Sequence, residues 1–251
     1  MYPIFDPTFI FDSYSCRLEK GTHRAINRLQ EFLRKVNKNN TKTCFVLKCD
    51  IKKFFDSIDQ GILISLIKNK IKDENAIWLL EKIIKSFSAL PGKGLPLGNV
   101  TSQLFANIYL NELDFFVKHI LKIKYYIRYC DDFIFLEEQD ALEKIIKSIN
   151  NFLAQKLKLF LHPQKIIVKK YHQGIDFLGY VSFPHCRILR TKTKNRMIRK
   201  IKRKIKDLRS GKITEESFSQ TMQSYFGVLK HCDSYDLKKI IKRILENNDS
   251  L

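Results

Sequence analysis

The chain has 251 residues, of which 44% are hydrophobic and 19 are Phe, so material for a core is ample, while 9 Gly and 6 Pro are too few for a disordered or linker-rich chain. Lys and Arg number 46 against 26 Asp and Glu, a formal charge of +20. That excess favours a polyanionic partner, because cations that neutralise phosphates release condensed counterions; a codon bias toward Lys would raise the charge as well.

The opening segment, MYPIFDPTFIFD, has no basic flank and no small-residue cleavage site, and Asp6 interrupts its apolar run. No apolar stretch reaches the ~20 residues that span a bilayer. Cys16, Cys44, Cys49, Cys130, Cys186 and Cys232 include no CxxC and no Cys/His pair at finger spacing. Reduced thiols in a soluble, cytoplasmic protein are therefore the expectation, not structural zinc.

Residues 22–36 place Ala25, Ile26, Leu29, Phe32, Leu33 and Val36 at helical spacing, with Thr22 as the cap. CFVLKCD, residues 44–50, reads as a strand ending at Asp50. Helices are predicted over 59–71 and 75–88, then a loop, PGKGLPLG, then a long amphipathic helix from Asn99 to about Ile120. KYYIRYCDDFIFL reads as two aromatic-rich strands about an acidic tip, and an apolar stripe from Leu142 to Leu157 predicts another helix. IIVKK and IDFLGYVSF are strand-like. Composition then shifts at Arg190: between Arg190 and Lys212 there are 12 Lys or Arg and one acid, Asp207, while Met197, Ile198, Ile201, Ile205 and Leu208 keep helical spacing. A mixed α/β body is followed by a basic helical module.

The sharpest feature is Tyr129-Cys130-Asp131-Asp132 between two apolar runs. A turn is a natural place for Asp, and taken alone the pair reads as an exposed hairpin tip. Two adjacent carboxylates near a core repel each other, however, and a hard divalent cation would neutralise them. Asp50, at the end of its strand, is a third carboxylate. Two metal ions ~4 Å apart need such a cluster of acids together with the substrate phosphates. One ion would activate a primer 3′ hydroxyl and the other would hold the triphosphate.

CDIKKFFDSID resembles the first palm motif of reverse transcriptases, and YCDD their YxDD motif. GLPLGNVTSQLFANIYLNELD, LHPQK and IDFLGYV are similar to the intervening motif, the following lysine motif and the motif before the thumb. The five occur in family order. Many members carry Gln-Gly and Ser-Pro in the intervening motif; here the stretch is Leu97-Gly98-Asn99-Val100-Thr101-Ser102-Gln103. That form, with FDSYSCRLEKGTHRA and SYFGVLKH, is similar to reverse transcriptases of diversity-generating retroelements, in which it is associated with low fidelity opposite template adenine.

The resemblance implies an α+β fold, a right-hand polymerase palm of antiparallel sheet and helices with a basic helical thumb and partial fingers. Residues 1–43 would be a residual fingers segment, 44–189 the palm with embedded finger helices at about 59–92, and 190–251 the thumb. It implies an RNA-directed DNA polymerase that binds two Mg²⁺, or Mn²⁺ as a substitute, through Asp50, Ile51, Asp131 and Asp132. Its partners would be an RNA template, a DNA or RNA primer, dNTPs and a small basic accessory protein, with no membrane, and the protein would be cytoplasmic and encoded by a bacterium, phage or mobile element.

Phe55 takes the family's place for a steric gate against the ribose 2′ hydroxyl; a core Phe is the alternative, and the one expected of Phe54. Gly98 and Gln103 flank the start of a long helix whose free N–H groups would face template or nucleotide, or else shape a turn and pair with backbone. Lys165 sits where the family has a lysine near the leaving pyrophosphate, and a cation there would donate a proton or stabilise charge; a solvated lysine is nearly as good a reading. Arg17, Lys20 and Arg128 are candidate phosphate contacts, Arg128 equally an exposed strand residue. Phe177, Leu178 and Gly179 resemble the primer grip, where Gly permits close backbone approach. The helix of residues 196–209 would track the template–primer backbone through Arg196, Arg199, Lys200 and Arg203 without reading sequence. Upstream finger motifs are missing, so a fragment, a short natural form or a separate chain supplying the fingers are all open. Alternatives are a group II intron, retron or abortive-infection type, or a truncated nucleic-acid-binding remnant.

Overall fold

The apolar run predicted as a strand is the organising element of the larger sheet. The structure, a computed structural model, describes residues 1–96 and 98–249; Leu97, the first residue of the LGNVTSQ segment, lies outside the described residues. Two compact units divide at Lys170/Tyr171.

The first unit contains α1 (Tyr2–Phe5), α2 (Thr22–Val36), β1 (Phe45–Asp50), α3 (Phe54–Ser57), α4 (Gln60–Lys70), α5 (Glu74–Lys85), α6 (Val100–Phe115), β2 (Tyr126–Tyr129), β3 (Asp132–Glu137), α7 (Gln139–Phe152) and β4 (Ile167–Lys170). The sheet runs in the order β2-β3-β1-β4, all neighbours antiparallel. Its core is aromatic: Tyr126 stacks on Phe135 at 4.9 Å between ring centres, and Phe133 meets Phe135 edge-on at 5.8 Å. β4 is an outer strand, and all four of its residues are exposed.

Helix ends follow local chemistry. Asp59 and Asp73 cap α4 and α5 by accepting from the backbone N–H groups of Ile62 at 3.0 Å and Ala76 at 2.6 Å. At α2 the expected cap is corrected. Gly21, at φ 104°, is the cap residue and Thr22 is the first helical one, since the chain enters through a conformation open to glycine. The helix predicted from Asn99 to about Ile120 is α-helical only to Phe115, and residues 116–120 widen into a π-helical turn that closes with Leu121 N–H on the Phe116 carbonyl at 2.9 Å. α6 buries polar residues as well as apolar ones, Ser102, Asn107, Tyr109 and Asp114 among them, while Gln103 and Phe115 stay exposed.

The second unit holds β5 (Ile175–Phe177), β6 (Tyr180–Ser182) and β7 (Arg187–Leu189) in one antiparallel sheet, then α8 (Thr191–Arg209), α9 (Glu215–Leu229) and α10 (Tyr235–Asp249). The units divide ahead of the composition shift at Arg190 because this small sheet bonds to the helical part. Tyr180 OH donates to the Val228 carbonyl at 3.1 Å, and Arg187 donates to the carbonyl of His231 at 3.2 Å. In α8 the predicted stripe is inward: Met197, Ile201 and Ile205 are buried.

Candidate active site

Three acids come together at the ends of β1 and β3. Asp50 is the last residue of β1 and stands directly opposite Asp132, the first of β3; Tyr129 is the partner of Asp132 on its other side. Cys130 and Asp131 form the two-residue turn between β2 and β3, with Cys130 in the left-handed region at φ 55°. Like charges directly opposite on antiparallel strands are unfavourable. Burial raises the proton affinity of Asp131, and the charges of Asp50 and Asp132 raise it further. Burial likewise raises that of Asp132, Lys48 opposes the shift, and Asp50 adds to it. The Cys130 thiol is pushed up to about 12 by burial, which leaves it protonated.

Lys165 is delivered to the same place. Its turn, Pro163–Lys165, is pinned to the end of β1 because the His162 N–H donates to the Asp50 carbonyl at 2.8 Å. The Lys165 ammonium donates to Asp50 Oδ2 at 2.8 Å, and this bond raises its pKa. Lys48 was missed by sequence reasoning. Its Nζ lies 3.5 Å from Asp132 Oδ1. Strand alternation carried the signal, for a lone charge two residues before Asp50 shares its face.

Among the described residues no three His, Cys, Asp or Glu side chains are already gathered as a finished chelate. The donor set nevertheless suits a hard divalent cation: three carboxylates at adjoining strand ends, two of them destabilised as anions by burial and by the charge of Asp50. Ile51, buried at 1% exposure, has a hydrocarbon side chain and could offer such an ion only its main-chain carbonyl.

The other sequence candidates separate. Phe55 is half-buried and packs edge-on against the buried Phe54 at 5.3 Å. Gly98 is exposed at φ 94°, and a Cβ there would meet nothing within 4 Å, so the turn requires glycine and the space beside it is open. Gln103 is exposed on α6, one turn before Asn107 and on the same face.

Arg128 is neither exposed nor free for phosphate. Its side chain has 0% exposure and is bonded to Asp114, so that reading is corrected. Arg17 is likewise occupied, donating to Asp6 at 2.6 Å and to the Ile10 carbonyl at 2.7 Å. Lys20 donates to the Phe11 carbonyl at 2.9 Å and lies 3.5 Å over the Phe11 ring. Both brace the N-terminal segment. In the second unit Phe177 is 1% exposed, which removes its ring from any contact with nucleic acid. Leu178 and Gly179 form the β5–β6 turn at φ 50° and 88°, so glycine there has a local reason as a residue of a primed hairpin turn. Arg196, Arg199, Lys200 and Arg203 are all exposed on α8.

The family described as "Reverse transcriptase (RNA-dependent DNA polymerase)" matches residues 2–182. Protein YkfC of Escherichia coli (strain K12) is 26% identical over 219 residues, 72% of this chain and 57% of that protein. The group II intron-encoded protein LtrA of Lactococcus lactis subsp. cremoris is 26% identical over 247 residues, 70% of this chain and 40% of its own length. The chain therefore spans little more than half, or less, of these relatives. Among solved structures, telomerase from Candida albicans in complex with a TWJ fragment of telomeric RNA aligns with 98% of this chain and 46% of its own at TM-score 0.56 and 12% identity. Apo telomerase from Candida tropicalis aligns with 72% of this chain and 37% of its own at TM-score 0.55 and 16% identity. At such identities the likeness concerns the fold alone.

Proposed function

The chain belongs to the reverse transcriptase family, with its α+β right-hand fold, and from that premise we propose that it extends a primer with deoxynucleotides on an RNA template. The observation that carries the proposal is the register that sets Asp50 against Asp132, with Asp131 in the adjoining turn. Asp50, Asp131 and Asp132, with the Ile51 carbonyl, would hold two Mg²⁺, or Mn²⁺ in its place. When bound, these ions supply an acidified primer hydroxyl and charge neutralisation of the triphosphate. Lys165, already aimed at the cluster, would meet charge developing on the leaving pyrophosphate. Phe55 would exclude a ribose 2′ hydroxyl, and Gly98 and Gln103 would line the path of template or nucleotide. We read residues 1–43 as a fingers segment, 44–189 as palm and 190–251 as thumb, with the exposed cations of α8 on the template–primer backbone.

Within the family we favour a diversity-generating retroelement enzyme, on the strength of the LGNVTSQ segment, with a small basic accessory protein as partner. A group II intron type is the second reading, favoured by the likeness to LtrA. Primer extension on an adenine-containing RNA template with Mg²⁺ tests both levels. Extension by the wild type and none by Asp131→Ala supports the polymerase; errors concentrated opposite adenine in the sequenced cDNA support the retroelement type. Wild-type protein that never extends a primer sinks the first claim, and evenly low error sinks the second.

A further inference from the structure

Behind the catalytic turn lies a charge pair that the chemistry above does not use. Arg128 of β2 and Asp114 near the end of α6 both have 0% side-chain exposure. Arg128 Nε bonds the two carboxylate oxygens at 2.8 and 3.0 Å, and Nη2 bonds Oδ2 at 2.6 Å. Tyr126 OH also donates to Asp114, at 2.8 Å. The remaining arm of the guanidinium points elsewhere. Nη1 donates to the Cys130 carbonyl at 3.2 Å and to Asn107 Oδ1 at 3.2 Å. Asn107 in turn donates to the Ser15 carbonyl at 2.9 Å.

A buried ion pair is seldom worth more to stability than apolar residues of the same volume, since desolvation offsets the attraction. Stability alone therefore gives this pair no advantage over two well-packed apolar side chains. An apolar side chain cannot, however, donate a hydrogen bond to the Cys130 carbonyl. That carbonyl belongs to the peptide joining Cys130 to Asp131, at a residue held in the left-handed region at φ 55°. The plane of that peptide sets the direction in which the Asp131 side chain leaves the backbone.

We propose that Arg128, clamped by Asp114, is a positioning residue that fixes the Cys130–Asp131 peptide and so aims the Asp131 carboxylate at the cation site. The inference rests on the polymerase reading and deepens it. The pair also joins α6, β2 and the N-terminal segment through Asn107 and Ser15, so displacement of α6 would be felt at the turn.

The test uses the full chain and the double variant Arg128→Met/Asp114→Asn, which removes both charges, keeps an acceptor for Tyr126 and loses the bond to Cys130. Circular dichroism and thermal melting establish the fold. Two readouts follow: Mn²⁺ binding by electron paramagnetic resonance with the metal alone, and single-turnover nucleotide incorporation. The expected result is a folded protein whose Mn²⁺ binding is weakened severalfold and whose incorporation rate falls by about 10- to 100-fold. Nucleotide affinity should stay within about twofold, the mark of lost alignment and not of lost binding. A folded double variant with wild-type Mn²⁺ affinity and wild-type rate overturns the proposal. Should it not fold, Arg128→Lys keeps the charge on Asp114 but cannot span Asp114, Asn107 and Cys130 together, and the same two outcomes decide. If the wild type extends no primer, the polymerase reading fails, while unequal or equal Mn²⁺ affinity still upholds or overturns the role of Arg128.

Discussion

Asp131 shows how a site can work against the fold that holds it. Burial and the neighbouring acids raise its proton affinity in the folded chain, so the folded state binds that proton more tightly than the unfolded state. The sign follows: charging Asp131 costs stability as pH rises through the ordinary carboxylate range, and the cost is complete above its raised pKa. Asp131→Asn should therefore raise the melting temperature at pH 7 in chelator, with the gain shrinking as pH falls toward about 4; thermal melts across that range check it, and a variant no more stable at pH 7 refutes it. At Phe55 the proposed gate is held by its own backbone, whose carbonyl accepts from Leu95 N–H at 2.9 Å. Phe55→Ala should let ribonucleotides in, cutting discrimination in kcat/KM by about 100-fold; unchanged sugar selectivity would remove the assignment.

At the scale of elements, one side-chain amide helps tie α4 and α5 to the loop that follows them, beside the backbone bond from Gln60 N–H to the Gly92 carbonyl at 3.0 Å. Gln60 is 5% exposed, and its Nε2 donates to the carbonyls of Ile84, Phe87 and Gly94 at 3.1, 2.7 and 3.0 Å. Gln60→Leu leaves those acceptors unpaired and should destabilise the chain by about 2–4 kcal/mol, measurable by denaturant unfolding with faster amide exchange over residues 86–94. Nothing in the sequence marked Gln60, because its importance depends on carbonyls brought to it by a loop. The sheet around the acids was legible, since apolar runs on either side of YCDD and the run before Asp50 each have a local signature. Arg128 was not. A short strand says which side chains alternate but not that one face is covered by α6, where Asp114 waits. The π-helical turns after Phe115 and Phe152 were equally invisible, because the apolar spacing continues through them unchanged.

Over the whole molecule, charge is the dominant fact, and α8 concentrates it. With Met197, Ile201 and Ile205 buried, its Arg196, Arg199, Lys200 and Arg203 are exposed on the remaining surface. Replacing these four by Ala should leave folding nearly untouched. It should lower the slope of log affinity for an RNA–DNA duplex against log salt by about 0.7–0.9 for each lost phosphate contact. A filter-binding titration at several salt concentrations measures it, and an unaltered slope would take α8 off the nucleic-acid path. No described helix is long and apolar enough to cross a membrane.

The exposed outer strand β4 has a consequence of another kind. A sheet whose last strand lies open invites a further strand to join it, and the commonest visitor is a second copy of the same chain. Here the strand reads Ile167-Val168-Lys169-Lys170. Lys169 and Lys170 put two like charges on that open edge, the kind of residue with which native sheets discourage a further strand from pairing there.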